Sequence, residues 1–224
     1  MHGLRLCGID DAGRGPVIGP LVIAGVLIDE ERLPNLIRLG VRDSKTLSPR
    51  RREYLAGEIL KIVEDYRVVK VPPSEIDRVV EHGRRLNRLN RLEARIMASI
   101  IRDLKPDIAY VDASDILPER FRQHIAEELP FTVKIVSEHK ADKTYPIVSA
   151  ASIVAKVERD REIESLKQIY GDFGSGYAAD PKTISFLKRW IEEHGSYPDF
   201  VRKSWKTVKI LLRDRERLRQ KRLQ

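Results

Sequence analysis

Residues 4–28 of the chain, LRLCGIDDAGRGPVIGPLVIAGVLI, contain two apolar segments separated by a glycine-rich turn. Leu4–Ile9 and Leu21–Ile28 are rich in aliphatic side chains, and each has the length of one strand. Asp10 and Asp11 follow the first segment directly. The stretch therefore predicts two strands, the first of which carries a pair of carboxylates at its carboxyl end.

Strands and helices alternate along the rest of the chain. Three further strands are predicted at Arg67–Val71, Ile108–Val111 and Phe131–Val136. Helices are predicted from Pro49 onward and at Leu86–Leu104, Pro118–Leu129, Pro146–Tyr170, Pro181–His194 and Trp205–Arg219. This order indicates an α/β fold with a five-stranded mixed sheet. No repeat and no low-complexity linker divides residues 1–224, so we expect one domain.

The composition excludes several classes of protein. A charged fraction of 34% and the shortness of every apolar run exclude a membrane-embedded protein. The single cysteine, Cys7, excludes an internal disulfide and a cysteine-rich metal site. The first residues lack the pattern of a secretory signal, so we expect a cytoplasmic protein. Abundant charge with only three Asn and four Gln favours a heat-adapted host.

The net charge bears on the partner. Forty-two Lys and Arg against 34 Asp and Glu give a formal charge of +8. Basic side chains that neutralise phosphates release counterions, so this balance favours a nucleic acid as partner. Many soluble proteins are equally basic, and the charge alone therefore leaves the question open.

Acidic residues recur near the ends of the predicted strands. Asp10 and Asp11 follow the first strand, Asp112 ends the fourth, and Asp142 follows the fifth. Carboxylates that converge repel one another, and such a cluster usually needs a cation. Hard oxygen ligands suit Mg²⁺ or Mn²⁺, and pairs of these ions serve in phosphodiester cleavage. Aspartates after strands also cap helices and begin turns, so spacing alone leaves both interpretations open.

The glycines at 13, 15 and 19 do not match a dinucleotide-binding loop. Their third member comes one residue too late for that fingerprint, and the preceding aspartates would repel a pyrophosphate. Glycines also allow a backbone to approach a ligand closely. The segment is therefore either a ligand-contacting turn or simply a tight connection between strands.

Other polar segments have two interpretations each. Asp43-Ser44-Lys45 is either a capping turn or a clasp for phosphate. Lys143 and its basic neighbours around Asp142 suit a nucleic-acid track or a solvated face. Tyr177 lies in a glycine-rich loop, where it is either a stacking side chain or a packed anchor.

Longer motifs resemble a known family. They are GIDDAGRGPVIGPLVIAGV, VRDSKTLSP, YVDASD, HKADKTYPIVSAASIVAKVERDR, GSGYAADPKT and VRKSWKT, and they extend from Leu4 to about Thr207. Together they resemble type 2 ribonuclease H, or ribonuclease HII, in its archaeal form. The resemblance implies a ribonuclease H-like fold with helices flanking the sheet, and a helical C-terminal extension from about residue 181. It also implies hydrolysis of the RNA strand of RNA–DNA hybrids and incision at ribonucleotides in duplex DNA, leaving 5′-phosphate and 3′-hydroxyl ends.

The resemblance also assigns roles to residues. The family's catalytic and metal-binding carboxylates fall on Asp10, Asp11, Asp112 and Asp142, with two Mg²⁺ or Mn²⁺ ions as cofactors. The element that contacts the ribose 2′-OH falls on Gly13, Arg14 and Gly15, and its tyrosine partner on Tyr177. Phosphate contacts are expected from Asp43, Ser44, Lys45 and Lys143.

The chain departs from the family pattern at one position. The family usually has glutamate where Asp11 stands, so the carboxylate here reaches about 1.5 Å less far. Some archaeal members of the family carry a C-terminal clamp-binding peptide with paired aromatic residues. The segment RLRQKRLQ at 217–224 has no aromatic residue, so no clamp-binding peptide is recognised here. We expect a monomer that contacts no membrane.

Two rival functions remain open. Another nuclease or strand-transfer enzyme of the same fold should lack the glycine turn and Tyr177. A non-catalytic hybrid-binding protein has no use for four carboxylates near its strand ends, because they weaken phosphate binding.

Overall fold

A computed structural model describes residues 3–41, 47–82 and 88–223, and Asp43, Ser44 and Lys45 lie outside them. Within the described residues, one sheet contains β1 (Arg5–Ala12), β2 (Leu21–Asp29), β3 (Asp65–Val71), β4 (Ile108–Asp112) and β5 (Lys134–Glu138). The strand order is β3-β2-β1-β4-β5. β1 is antiparallel to β2 and parallel to β4, which is parallel to β5. The predicted five-stranded mixed sheet is therefore confirmed.

Nine helices lie in the described residues: α1 (Leu33–Leu39), α2 (Pro49–Ile62), α3 (Pro73–His82), α4 (Arg88–Leu104), α5 (Pro118–Glu127), α6 (Ala141–Thr144), α7 (Pro146–Tyr170), α8 (Pro181–His194) and α9 (Lys206–Leu223). The sequence did not predict α1, α3 or α6. Pro72-Pro73 directly follows the predicted strand Arg67–Val71, and α3 begins at Pro73. Proline suits the first turn of a helix, where its missing N–H is not needed.

Each strand differs from its predicted range at one end or both, and the largest differences are at the end of β1 and the start of β5. β1 continues through both aspartates because its antiparallel register with β2 extends to the pair Ala12 and Val22. β5 was predicted to begin at Phe131, but its register with β4 begins where Lys134 meets Ile108. Pairing with a neighbouring strand decides where a strand begins and ends, and this pairing is not visible in a single segment.

The first turns of α7 pack directly on β1. A Cβ at Gly8 would lie only 2.3 Å from the carbonyl oxygen of Ile147, so a larger residue there would displace the helix. This close approach brings α7, which carries Ser152, against the strand that carries Asp10.

The chain divides into two compact units. The first contains Met1–Ala12, Val22–Lys70 and Arg85–Glu158, and its buried cluster includes Val22, Leu55 and Val148. The second contains Gly13–Leu21, Val71–Arg84 and Arg159–Gln224, with a separate core that includes Phe173 and Phe186. The helices after residue 181 belong to the second unit. In the part of the chain that is described, no helix is both long and apolar enough to cross a membrane.

Candidate active site

The register of the central strands aligns two of the predicted carboxylates. Ile9 of β1 pairs with Val111 of β4 in the parallel register, and each is followed by an aspartate. Asp10 and Asp112 therefore lie at the same level of two neighbouring parallel strands. Carboxyl ends of adjacent parallel strands are a common position for ligand-binding groups in α/β folds.

Asp10 lies in an unfavourable place for a negative charge. Its side chain is buried, at 5% exposure. Burial raises the pKa of Asp10 well above its usual range, and the nearby negative charges of Asp11 and Asp112 raise that pKa further. Hydrogen bonds from the Ser152 hydroxyl and the Asp11 backbone N–H oppose this rise in the pKa. Three carboxylates in mutual electrostatic range favour a bound cation.

Asp11 and Asp112 accept hydrogen bonds from neutral donors. The Ser114 hydroxyl donates to Asp11 Oδ2 at 3.0 Å. The backbone N–H of Ala141 donates to Asp112 Oδ1 at 2.8 Å, which fastens the start of α6 to the end of β4. Asp142 is the next residue of α6, and its side chain is buried at 4% exposure. One hydrogen bond thus ties together the segments that carry Asp112 and Asp142.

The donor set fits a hard divalent cation. All four candidate ligands offer carboxylate oxygens, which Mg²⁺ and Mn²⁺ prefer. Across residues 3–41, 47–82 and 88–223, no three His, Cys, Asp or Glu side chains are already drawn together as metal ligands.

A further aspartate of the YVDASD motif has a structural role. Asp115 is buried, and it accepts two hydrogen bonds from the Arg120 guanidinium. The pairing with Arg120 and the N–H of Leu117 hold the pKa of Asp115 well below its usual range. A carboxylate whose charge is already compensated in this way stabilises the turn before α5.

Sequence reasoning missed the hydroxyls that orient the carboxylates. Ser114 lies in YVDASD and Ser152 lies in VSAASIVAK, and both segments belong to the motifs that resemble the family. Their partners, Asp11 and Asp10, lie 103 and 142 residues away along the chain. Only the packing of β4 and α7 on β1 shows what these hydroxyls contact.

The second unit contains the predicted glycine turn. Gly13 has φ of +83°, a conformation that glycine adopts without strain. A Cβ there would lie 2.8 Å from both Arg159 Cδ and the Pro20 carbonyl oxygen. Gly15 is exposed, and a Cβ on it would meet only Tyr177 Cε1, at 3.7 Å. The fold therefore requires a glycine at position 13. At position 15, an added Cβ would not collide with the rest of the protein.

The loop that carries Tyr177 is joined to this turn within the same unit. The backbone N–H groups of Val17 and Ile18 both donate to the Gly176 carbonyl, at 2.8 and 3.2 Å. The Tyr177 side chain is 43% exposed, and the Arg159 guanidinium lies 5.4 Å from the centre of its ring. The turn and the tyrosine are therefore held side by side, with much of the ring open to a ligand.

The predicted phosphate contacts have less structural support. Asp43, Ser44 and Lys45 lie outside the described residues, so their assignment stays a prediction. Lys143 lies in α6 with an exposed side chain, directly after Asp142. Its position is compatible with a phosphate contact beside the carboxylates.

Sequence comparisons identify the family. A sequence model described as Ribonuclease HII matches residues 7–208. Ribonuclease HII of Thermococcus kodakarensis is 50% identical over 208 residues, which cover 92% of this chain and 89% of the relative. Ribonuclease HII of Methanosarcina mazei is 47% identical over 214 residues, covering 92% of this chain and 96% of the relative.

Solved structures agree with these relatives. The ribonuclease H2 of Pyrococcus horikoshii matches with a TM-score of 0.87 and 45% identity, over 94% of this chain and 98% of that chain. A structure titled as the PCNA:RNase HII complex of Archaeoglobus fulgidus matches with a TM-score of 0.82 and 50% identity, over 92% of this chain and 96% of that chain. Bst-RNase HIII, 21% identical with a TM-score of 0.80 over 96% of this chain and 71% of that chain, shares the fold. This chain therefore belongs to the ribonuclease HII family, the metal-dependent endoribonucleases that hydrolyse the RNA strand of RNA–DNA hybrids.

Proposed function

We propose that Asp10, Asp11, Asp112 and Asp142 form the catalytic centre of this ribonuclease and hold two divalent ions, Mg²⁺ or Mn²⁺. The observation that carries the proposal is the buried position of Asp10 beside the charges of Asp11 and Asp112. A buried carboxylate with a purely structural role is normally paired with a cationic side chain, as Asp115 is with Arg120. A cation supplies the same compensation to the catalytic group.

The chain's own residues orient the carboxylates before an ion binds. Ser114 holds Asp11, the Ala141 N–H holds Asp112, and Ser152 holds Asp10. A carboxylate has about four acceptor positions, so one such bond directs the group and leaves it able to ligate a cation. Because Asp10, Asp11 and Asp112 lie on strands and Ser152 lies on the packed helix α7, these ligands are positioned on rigid elements.

Two bound divalent ions supply the stabilisation that the attacking and leaving oxygens need in an in-line displacement at phosphorus. The carboxylates of β1 and β4 set where that stabilisation acts. The products are then a 5′-phosphate and a 3′-hydroxyl.

The glycine turn and Tyr177 supply recognition of the ribonucleotide in this proposal. Gly13, Arg14 and Gly15 approach the 2′-OH with their backbone, and Tyr177 stacks on the sugar beside it. The open space over Gly15 and the partly exposed Tyr177 ring support this assignment. The 2′-OH is the group that distinguishes RNA from DNA at one position. A turn built to bind that hydroxyl disfavours a deoxynucleotide, which leaves its polar groups unpaired.

Phosphate contacts complete the proposed site. Lys143, exposed next to Asp142, and the segment Asp43-Ser44-Lys45 hold the backbone of the duplex. The net charge of +8 supports a sequence-independent attraction for the phosphates.

We also propose that the protein acts in the cytoplasm as a monomer and that residues 217–224 bind no sliding clamp. The related Archaeoglobus fulgidus protein was solved as a PCNA:RNase HII complex, so an archaeal clamp is the appropriate probe. Analytical ultracentrifugation of the protein alone should give the mass of one chain. With the clamp added, the protein and the clamp should sediment as two separate species. A sedimenting complex with the clamp would contradict the proposal on clamp binding, and a dimer alone would contradict the monomer.

Metal dependence tests the catalytic proposal most directly. The substrate is a DNA duplex with one embedded ribonucleotide, and an otherwise identical all-DNA duplex is the control. We expect cleavage at the ribonucleotide in Mg²⁺ or Mn²⁺, no cleavage in EDTA, and none of the control. Full activity in EDTA would overturn the two-ion assignment.

A further inference from the structure

We propose that Arg202 is a positioning residue that sets the ribonucleotide selectivity of the glycine turn. This inference rests on the proposed role of Gly13–Gly15 in binding the 2′-OH. It adds a residue from outside the turn, and it explains how the direction of the turn's backbone donors is held.

Among the residues whose burial the structure describes, Arg202 is the largest fully buried side chain, at 0% exposure. Its guanidinium donates to three backbone carbonyls of the segment Gly13–Leu21. Nη2 donates to the Gly13 oxygen, Nη1 to the Arg14 oxygen at 2.8 Å, and Nε to the Gly19 oxygen at 3.1 Å. A single planar group thus contacts the segment Gly13–Leu21 near both of its ends.

These contacts determine where the N–H groups of the turn point. In a planar trans peptide, the C=O and the following N–H point in opposite directions. With the Gly13 and Arg14 carbonyls directed at Arg202, the N–H groups of Arg14 and Gly15 are directed away from it. In the proposed function, these N–H groups face the ribose 2′-OH. Arg202 therefore sets their direction without touching the ligand itself.

Trp205 extends the same arrangement to the third residue of the turn. Its indole Nε1–H donates to the Gly15 carbonyl at 3.1 Å. The Arg202 guanidinium lies 5.0 Å from the centre of the Trp205 ring, a geometry that allows a cation–π contact. In addition, the Arg202 backbone N–H donates to the Val17 carbonyl at 2.9 Å.

The segment that carries Arg202 is itself fixed. Asp77 of α3 accepts hydrogen bonds from the backbone N–H groups of Lys203 and Ser204, at 2.8 and 2.9 Å, and from the Ser204 hydroxyl. Lys209 of α9 forms an ion pair with Glu81 of α3 at 2.8 Å. These contacts hold the start of α9 to α3 and restrict the position of the guanidinium.

Lysine cannot reproduce this geometry. The guanidinium is a planar fork with five donors, whereas an ammonium is a point charge at the end of a flexible chain. Arg202→Lys keeps the positive charge but loses simultaneous contact with three carbonyls. It is therefore a test of donor geometry at constant charge.

The experiment compares Arg202→Lys with Phe186→Leu, a core variant of the second unit whose ring packs against Phe173, Trp190 and Phe200. For each purified full-length variant, we would measure single-turnover cleavage of a duplex with one ribonucleotide, the Kd for an all-DNA duplex, and Tm. Cleavage is measured well below the lowest Tm. We expect Arg202→Lys to cleave about 10- to 100-fold more slowly, since a shift of about 1 Å in a positioning group costs up to about a hundredfold. The Kd for all-DNA duplex should stay within about threefold, because phosphate contacts supply most of the affinity.

Phe186→Leu should keep the parental cleavage rate even if its Tm falls as far as that of Arg202→Lys. A parental rate in Arg202→Lys, or equal losses of rate in both variants at equal Tm, would overturn the inference. If Arg202→Lys does not fold, Trp205→Phe decides. It keeps an aromatic ring, loses the donor to Gly15, and should cleave about 3- to 10-fold more slowly, whereas a parental rate would overturn the inference.

A third variant separates this inference from the proposed function. Gly15→Ala fills the space over the turn while leaving Arg202 in place. If Gly15→Ala loses activity and Arg202→Lys does not, the turn binds the ribonucleotide without help from Arg202. If Gly15→Ala cleaves at the parental rate, the proposed role of the turn fails, and this inference fails with it.

Discussion

The backbone N–H of Ala141 donates to Asp112 Oδ1 at 2.8 Å, across 29 residues of sequence. This bond brings the start of α6 to the end of β4, where Asp112 stands one strand from Asp10. Asp142 follows Ala141 directly. The contact therefore links the segments that carry two of the carboxylates that we assign to catalysis.

Asp10→Asn and Asp112→Asn should each abolish turnover, because an amide cannot supply the negative charge that holds a divalent ion. Hybrid binding should stay nearly intact, since phosphate contacts dominate affinity. Cleavage assays and a binding titration on the same duplex measure the two properties. Asp115→Asn is the matched control: it loses its pairing with Arg120 and lowers Tm, but it should cleave at the parental rate at a temperature where it is folded. Turnover by Asp112→Asn close to that of Asp115→Asn would contradict the assignment.

Asp11 is expected to bind metal with a shorter reach than the family's usual glutamate. Asp11→Glu should equal or exceed the parent in Mg²⁺, and Asp11→Asn should fall well below both. Rates across a Mg²⁺ and a Mn²⁺ titration provide the measurement. If Asp11→Asn cleaves as fast as the parent, Asp11 is not a ligand, and the Ser114 contact has a structural role only.

Tyr177 should contribute through its exposed ring. Tyr177→Ala should lower cleavage at a lone ribonucleotide by about 5- to 150-fold, the loss that corresponds to roughly 1–3 kcal/mol of stacking. Tyr177→Phe keeps the ring, and with it the stacking and the packing against Arg159. It should therefore stay near the parental rate. A parental rate in Tyr177→Ala would instead mean that the tyrosine only anchors its loop.

The two outer glycines of the turn should respond differently. Gly15→Ala should leave Tm unchanged, since its Cβ meets only Tyr177 Cε1 at 3.7 Å, but should reduce cleavage at a lone ribonucleotide at least tenfold by crowding the sugar. Gly13→Ala should lower Tm as well, because its φ of +83° and the contacts at 2.8 Å strain the protein itself. Thermal unfolding and cleavage rates measured together distinguish the two effects. A lowered Tm in Gly15→Ala would mean that the turn is tighter than the structure indicates.

The pKa of Asp10 leads to a prediction about stability. Burial and the charges of Asp11 and Asp112 raise the pKa of Asp10 in the folded state, so the folded protein binds this proton more tightly than the unfolded chain. The stability of the metal-free protein should therefore fall as pH rises from the unfolded pKa toward the folded one. Asp10→Asn removes this charge and should raise Tm in EDTA at pH 7. Thermal unfolding of parent and variant at pH 7 tests the sign, and a lower Tm in the variant would contradict it.

Local patterns were enough to predict much of the fold. The aliphatic segments around the glycine turn predicted β1 and β2. The helix α4 follows from its periodicity, and α5, α7 and α8 follow from the prolines at their starts. These features depend on residues that are near one another in sequence. The motifs around Asp10, Asp112 and Asp142 were also sufficient to identify the family.

Other features depend on contacts between distant residues. No local signal indicated that Arg202 donates to the carbonyls of Gly13 and Arg14, nearly 190 residues away. The register of β1 and β4 places Asp10 beside Asp112. Two strands of similar composition can pair in another register, so composition alone does not specify this one. The sequence by itself determined which groups are present and on which strands and helices they lie. The tertiary structure decided which of them meet, because hydrogen bonds and charge interactions depend on distances in space that only packing establishes.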